Sequence, residues 1–214
     1  VLVGDFLFAR AFQAMVADGE LRVLEIISEA TRRLAEGEVL QLQYAHEPDT
    51  SEDEYLRVIT AKTATLFEAA ARLGAVLNGR PEAEEEALAT FGRSLGIAFQ
   101  LVDDCLDYVA TADEWGKNLG DDLAEGKPTL PTLYALSQAD ATGRDAIHRA
   151  LESEGTALLE PVMAAIRDTG AVEYTLDSAR AWIRQAKESL AGLPDTTERR
   201  ALENVADFVV DRQF

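Results

Sequence analysis

"PEAEEEALATFGRSLGIAFQLVDDCLDY", residues 81–108, decides the fold. Leu88, Phe91, Leu95, Phe99, Val102 and Leu106 recur every three or four residues, the period of one helix face, and Pro81 suits a first helical turn. The stretch therefore predicts a long helix running to about Tyr108. Its last turns carry three carboxylates, Asp103, Asp104 and Asp107, where a core helix should end in apolar residues. An ionised carboxylate buried without a partner is costly, so such a cluster is solvated, neutralised by Lys or Arg, or holding a cation.

Outward from this helix the pattern repeats. "DGE" at 18–20 separates a helix over about 4–18 from one over about 20–45, and Pro48 ends the second. Ser51 with Glu54 three residues on is the capping-box pattern, which starts a third helix that continues to about Leu77. Shorter helices are predicted over about 130–138, 142–153, 157–168, 171–190 and 196–212, and no stretch alternates as a strand does. The expectation is an all-α protein with residues 1–214 in one domain. Residues 109–127, polar and punctuated by glycine, are too long for a routine connection between packed helices and read as a functional loop.

Composition narrows the function. With 39 acidic against 20 basic residues the formal net charge is -19, which repels nucleic acid and anionic membrane surfaces. No apolar run reaches membrane-spanning length, so stable membrane insertion is not expected. Cys105, the one cysteine, reads as a small core residue and fits a reducing, cytoplasmic compartment. The chain opens with Val1 in an already helical stretch, "VLVGDFLFARAFQAMV", which raises the expectation of a segment upstream.

Indexing the long helix places Gly92, Gly96, Gln100, Asp103 and Asp107 on one stripe beside the apolar face. Glycines that permit close helix packing, next to acids at a solvated helix end, would account for it. Three features weigh the other way. Acids near a helix C-terminus face the negative end of its dipole, like charges four residues apart repel, and the following loop brings Lys117, Asp121, Asp122 and Lys127. Hard oxygen ligands mixed with phosphate-binding bases suit Mg²⁺, which takes one or two carboxylates plus substrate phosphate oxygens. Neither a zinc cluster nor a Walker-type loop fits the residues present.

Lys62 is a lone lysine in "VITAKTATLFEAAA", a helix apolar on most faces, and either an intramolecular salt bridge or a ligand phosphate satisfies it. Thr63 beside it offers a hydroxyl to the same oxygen. Glu38 and Gln41, one turn apart, lie either on a solvated face or toward the same cavity.

"FQLVDDCLDY" followed by "GKNLGDDLAEGKPTLP" resembles the second aspartate-rich region and adjoining loop of the trans-prenyltransferases, the polyprenyl diphosphate synthases, and within them the bacterial octaprenyl type. "LVGDFLFARAF", "AEGEVLQL", "KTATLFEAAARLG" and "LLEPVM" are similar to other parts of that family. The resemblance implies an isoprenoid-synthase-type bundle of helices around a central cavity, a homodimer, and Mg²⁺-dependent condensation of isopentenyl diphosphate with an allylic diphosphate. It implies Asp103, Asp104 and Asp107 as the metal-binding motif and Asp121 as a water-mediated metal contact. Lys62, Lys117 and Lys127 would grip the allylic diphosphate, with Thr63 and Gln100 lining the pocket and Thr63 helping to take up the proton lost after condensation. Gly92 and Gly96 would leave room along the cavity wall.

The family's first DDxxD motif and its isopentenyl-diphosphate-binding Lys, Arg and His do not occur in these 214 residues, so the N-terminal helices of the bundle are expected to be missing and the chain alone to be inactive or impaired. Two rival readings remain at this stage, a class I terpene cyclase and a non-catalytic partner subunit of a heteromeric synthase. The loop sequence favours a synthase over the cyclase, and the intact "DDCLD" weighs against a degenerate subunit.

Overall fold

Helix α5 (Glu82–Val109) is the axis of the molecule, and its apolar face does what the 3.6-residue period requires. Phe91, Leu95, Ile97, Leu101 and Val102 are buried in one cluster with side chains from five other helices, and Leu106 is buried as well. A fully buried Leu such as Leu101 contributes about 1.5–3 kcal/mol of transfer free energy. The computed structural model describes residues 1–109 and 119–211, and every element among them is helical.

Before α5 come α1 (Leu2–Asp18), α2 (Leu21–Tyr44), α3 (Glu52–Ile59) and α4 (Thr65–Leu77). After it come the one-turn α6 (Asp121–Ala124), then α7 (Leu130–Gln138), α8 (Ala141–Arg149), α9 (Leu159–Asp168), α10 (Ala171–Ser189) and α11 (Thr197–Val210). Helices α4 and α10 flank α5 along its length, α11 packs on its outer side, and α2 lies against α4. A second cluster, including Tyr108, Leu123, Ile147, Leu151 and Val162, ties α7, α8 and α9 to the end of α5. Cys105 is fully buried among these helices, and burial pushes its thiol up to about 12.

Local signals explain most boundaries. The Ser51 hydroxyl accepts the Glu54 N–H while Glu54 accepts the Ser51 N–H, the reciprocal cap that the sequence predicts. One boundary differs from expectation. The predicted single helix from Ser51 to Leu77 is divided by a π-helical turn, Thr60–Ala64, in which the Thr65 N–H reaches back five residues to the Thr60 carbonyl. Close packing accompanies it. A Cβ on Gly37 of α2 would lie 2.6 Å from the Lys62 nitrogen, and one on Gly96 of α5 would lie 2.6 Å from the Ala64 Cα. The turn is thus clasped between two glycines. Gly92 and Gly96 consequently serve close contact of α5 with α4, with no room left beside them, contrary to the expectation that they widen a cavity wall.

Candidate active site

The C-terminal half of α5, the π turn, the end of α2 and the stretch from Asp122 to Thr129 enclose a cavity of about 270 Å³. Lys62, Thr63, Gln100, Asp103, Asp104 and Lys127 line it together, drawn from three segments far apart in sequence. Asp122 and Tyr55 line it as well.

The three motif carboxylates have different surroundings. Asp103 is partly buried and faces the cavity. Asp104 is 3% exposed, with Tyr55 donating its phenol hydrogen to Oδ2 at 2.5 Å and Gln100 donating Nε2–H to Oδ1 at 2.7 Å. Burial, with the neighbouring Asp122 carboxylate, pushes Asp104 up to about 8, against the pull of those two donors. Asp107 turns away from the cavity and accepts the backbone N–H groups of Asp121 and Asp122, both at 3.1 Å. It thereby fixes the start of α6, and burial raises it to about 6. Asp121 is exposed and is absent from the cavity lining, where its neighbour Asp122 stands instead. Burial raises Asp122 despite the nearby Lys127.

Both described lysines of the site are held by acids. Lys62 Nζ donates to Gln41 Oε1 at 2.8 Å and pairs with Glu38 at 3.0 Å, so the intramolecular salt bridge exists and the Glu38–Gln41 stripe faces the cavity side of α2. Lys127 Nζ pairs with Glu125 at 2.5 Å and Asp122 at 3.2 Å; burial works against its charge, but these partners outweigh it and raise the pKa. The Thr63 hydroxyl donates to Gln100 Oε1 at 2.8 Å. Lys117 lies outside the described residues.

Among the described residues no three His, Cys, Asp or Glu side chains gather into a self-sufficient metal cage. Asp103 and Asp122 instead offer carboxylate oxygens beside two lysines. That donor set suits a hard cation completing its shell with water and ligand oxygens. Asp122 was present in the loop that the sequence singled out, but nothing in the Asp-Asp pair told which residue faces inward. Tyr55 was missed altogether, although it precedes Lys62 by seven residues, two helical turns on the same face.

Residues 1–168 match the family model described as polyprenyl synthetase. The octaprenyl diphosphate synthase of Escherichia coli is 49% identical over 213 residues, covering 99% of this chain and 66% of that protein. The all-trans-nonaprenyl-diphosphate synthase of Rhodobacter capsulatus is 46% identical, with 99% of this chain and 65% of that one covered. The chain therefore spans slightly less than two thirds of the length of these relatives. A polyprenyl synthase from Caulobacter crescentus, solved with calcium and isoprenyl diphosphate, superposes with a TM-score of 0.94 at 45% identity, covering 100% of this chain and 66% of that chain. No described helix is long and apolar enough to cross a membrane. A match over most of the chain, relatives near half identity and a shared all-α fold have one meaning: the chain belongs to the polyprenyl synthetase family.

Proposed function

We propose that these residues form the allylic-diphosphate half of a trans-prenyltransferase site, one that condenses isopentenyl diphosphate onto an allylic diphosphate with Mg²⁺. The observation that carries the reading is the meeting of Asp103 and Asp122 with Lys62 and Lys127 around one cavity. A cavity with only acids would suit a cation, and one with only lysines would suit an anion. The mixture suits a diphosphate together with the metal that accompanies it.

The donor set fits Mg²⁺, with Asp103 and Asp122 as the protein ligands and the diphosphate supplying the other oxygens. When bound, the metal would draw negative charge from the leaving diphosphate as the allylic C–O bond breaks. Lys62 and Lys127 act on the same charge by direct pairing, exchanging Glu38 and Glu125 for diphosphate oxygens. The Thr63 proton is committed to Gln100, so toward the cavity its hydroxyl is an acceptor, the sense required to receive the proton lost after isopentenyl diphosphate attacks. A homodimer belongs to the same reading, because α1 exposes Phe6, Phe8 and Phe12, apolar surface that a second copy would cover. So does a cytoplasmic location, where both diphosphates are soluble.

The test uses the protein that carries these residues, supplied with Mg²⁺, farnesyl diphosphate and isotope-labelled isopentenyl diphosphate. Label in a longer prenyl diphosphate, abolished by EDTA and restored by Mg²⁺, is the expected result. A cyclic hydrocarbon without label would replace this reading with that of a terpene cyclase.

A further inference from the structure

A chain of hydrogen bonds that converges on Asp104 runs along the wall of the cavity. Tyr55 of α3, only 4% exposed, donates to Asp104 Oδ2 at 2.5 Å. Gln100 donates its amide nitrogen to Asp104 Oδ1 at 2.7 Å, and Thr63 donates its hydroxyl to Gln100 Oε1 at 2.8 Å. Asp104 accepts from Tyr55 at one oxygen and from Gln100 at the other, which turns the Gln100 NH₂ inward and its carbonyl oxygen toward Thr63. That carbonyl in turn takes the Thr63 proton. What remains for the cavity is the second Gln100 N–H and the lone pairs of Thr63.

We propose that Tyr55 is a positioning residue of the diphosphate site, acting through Asp104 to fix the Gln100 amide and with it the Thr63 hydroxyl. The inference rests on the prenyl-transfer reading of the cavity. Its physical basis is the second oxygen of Asp104. Without the phenol, Oδ2 is a buried acceptor whose charged neighbours, Asp103 and Asp122, offer no hydrogen. Gln100 already donates to the other Asp104 oxygen, and an Asp104 that takes both amide hydrogens withdraws one from the ligand. A partner of this kind, one step behind the ligand-contacting groups, typically changes affinity by about 10–100-fold when removed.

The experiment is calorimetric titration of the full protein with inorganic diphosphate in excess MgCl₂, for wild type, Tyr55→Phe, Asp104→Asn and the double variant, with the Gln100 side-chain amide followed by ¹⁵N NMR. Tyr55→Phe is expected to bind about tenfold more weakly and to shift the Gln100 amide resonances, and in the Asp104→Asn background it should cost nothing further. Wild-type affinity in Tyr55→Phe, or losses that add in the double variant, overturns the inference. If Tyr55→Phe does not fold, Asp104→Asn and the double variant decide together, since neither leaves a buried carboxylate without a donor: shifted Gln100 amide resonances and an equal, about tenfold loss of affinity in both uphold the inference, and wild-type resonances and affinity in Asp104→Asn, or unequal affinities in the two, overturn it. Failure of the wild type to bind diphosphate with Mg²⁺ would refute the prenyl-transfer reading itself and this inference with it, whereas wild-type binding unmoved by Tyr55→Phe refutes the inference alone.

Discussion

The two ends of α5 carry acids in opposite electrostatic situations. At its N-terminal end Glu85, 13% exposed at the side chain, sits between Arg72 at 3.0 Å and Arg22 at 2.8 Å. Burial pushes its pKa up, but the two guanidinium groups outweigh burial and hold it below the ordinary carboxylate value. Nearby Glu68 has Arg33, Arg72 and Arg93 within 3.7 Å. At the C-terminal end Asp104, Asp107 and Asp122 are all raised, burial being the largest cause at each, and among the described residues Lys127 is the positive group that opposes it at Asp122. One end is an ion-pair network joining α2, α4 and α5. The other is a set of acids held in position by neutral donors, Tyr55 and Gln100, and by backbone N–H groups. Buried acids that the fold keeps in place at raised pKa values, with no arginine to hold them down, are the physical mark of a site that expects a ligand.

The strongest way to break this contrast is Asp103→Ala. It should weaken Mg²⁺-dependent diphosphate binding by about 100-fold or more, equivalent to about 2.7 kcal/mol. Thermal unfolding should be unchanged or slightly later, because a like charge beside Asp104 is removed. Calorimetry and a melting curve on the same sample separate the two effects. A melting point that falls along with affinity would mean that Asp103 belongs to the framework.

Between the two ends lies the joint with α4, which Gly96→Ala probes. The added Cβ would meet the Ala64 Cα at 2.6 Å and the Phe67 Cβ at 3.1 Å, backbone and core atoms with little freedom to retreat. Overpacking of this kind costs about 1–3 kcal/mol, read as a lower denaturant midpoint. The expected secondary effect is weaker diphosphate binding, because the π turn carrying Lys62 and Thr63 is the element displaced. A fully stable variant would show that the clasp is looser than its geometry.

Glu85→Gln tests the other end. It should cost about 1–2 kcal/mol by leaving Arg72 and Arg22 with a weaker partner, and it should leave diphosphate binding unchanged because the residue does not line the cavity. The sign with pH follows from the depressed pKa. The Glu85 contribution is fully present above the unfolded value near 4.5 and is lost as pH falls through the lower folded value. Wild type and Glu85→Gln should therefore differ in stability at neutral pH and converge on acidification. A difference that persists below that range would assign the effect to packing.

How much of this was legible in the sequence follows from which residues act locally. The α5 face from Leu88 to Leu106 and the Ser51–Glu54 cap depend on neighbours three or four positions away, and both are read correctly from spacing. The meeting of Lys62, Thr63, Gln100, Asp103, Asp104 and Lys127 was expected through family resemblance. The inward turn of Asp122 in place of Asp121, and of Asp107 toward α6, was not. Those orientations are set by backbone donors at 121 and 122 and by Tyr55 from another helix, contacts with no periodicity along the chain. The π turn was hidden for the same reason, since Gly37 and Gly96 act on it from two different helices.

The smallest expected effect sharpens the comparison most, because it asks whether the ion pairs at the site differ in kind from those at the far end. Lys62 pairs with Glu38 at 3.0 Å, but the side chains are 32% and 49% exposed. Exposed pairs of this sort contribute about 0–1 kcal/mol, since water solvates both ions nearly as well. If the pair merely stores Lys62 until a diphosphate arrives, Glu38 competes with the ligand for the same ammonium. Glu38→Gln should then leave the melting point almost unchanged and tighten diphosphate binding by about twofold to threefold, under 1 kcal/mol. Gln41, which also accepts from Lys62, keeps the lysine directed toward the cavity in the variant. Weaker binding in Glu38→Gln would show instead that Glu38 aims Lys62, making this pair part of the machinery in the way that Arg72 and Glu85 are part of the frame.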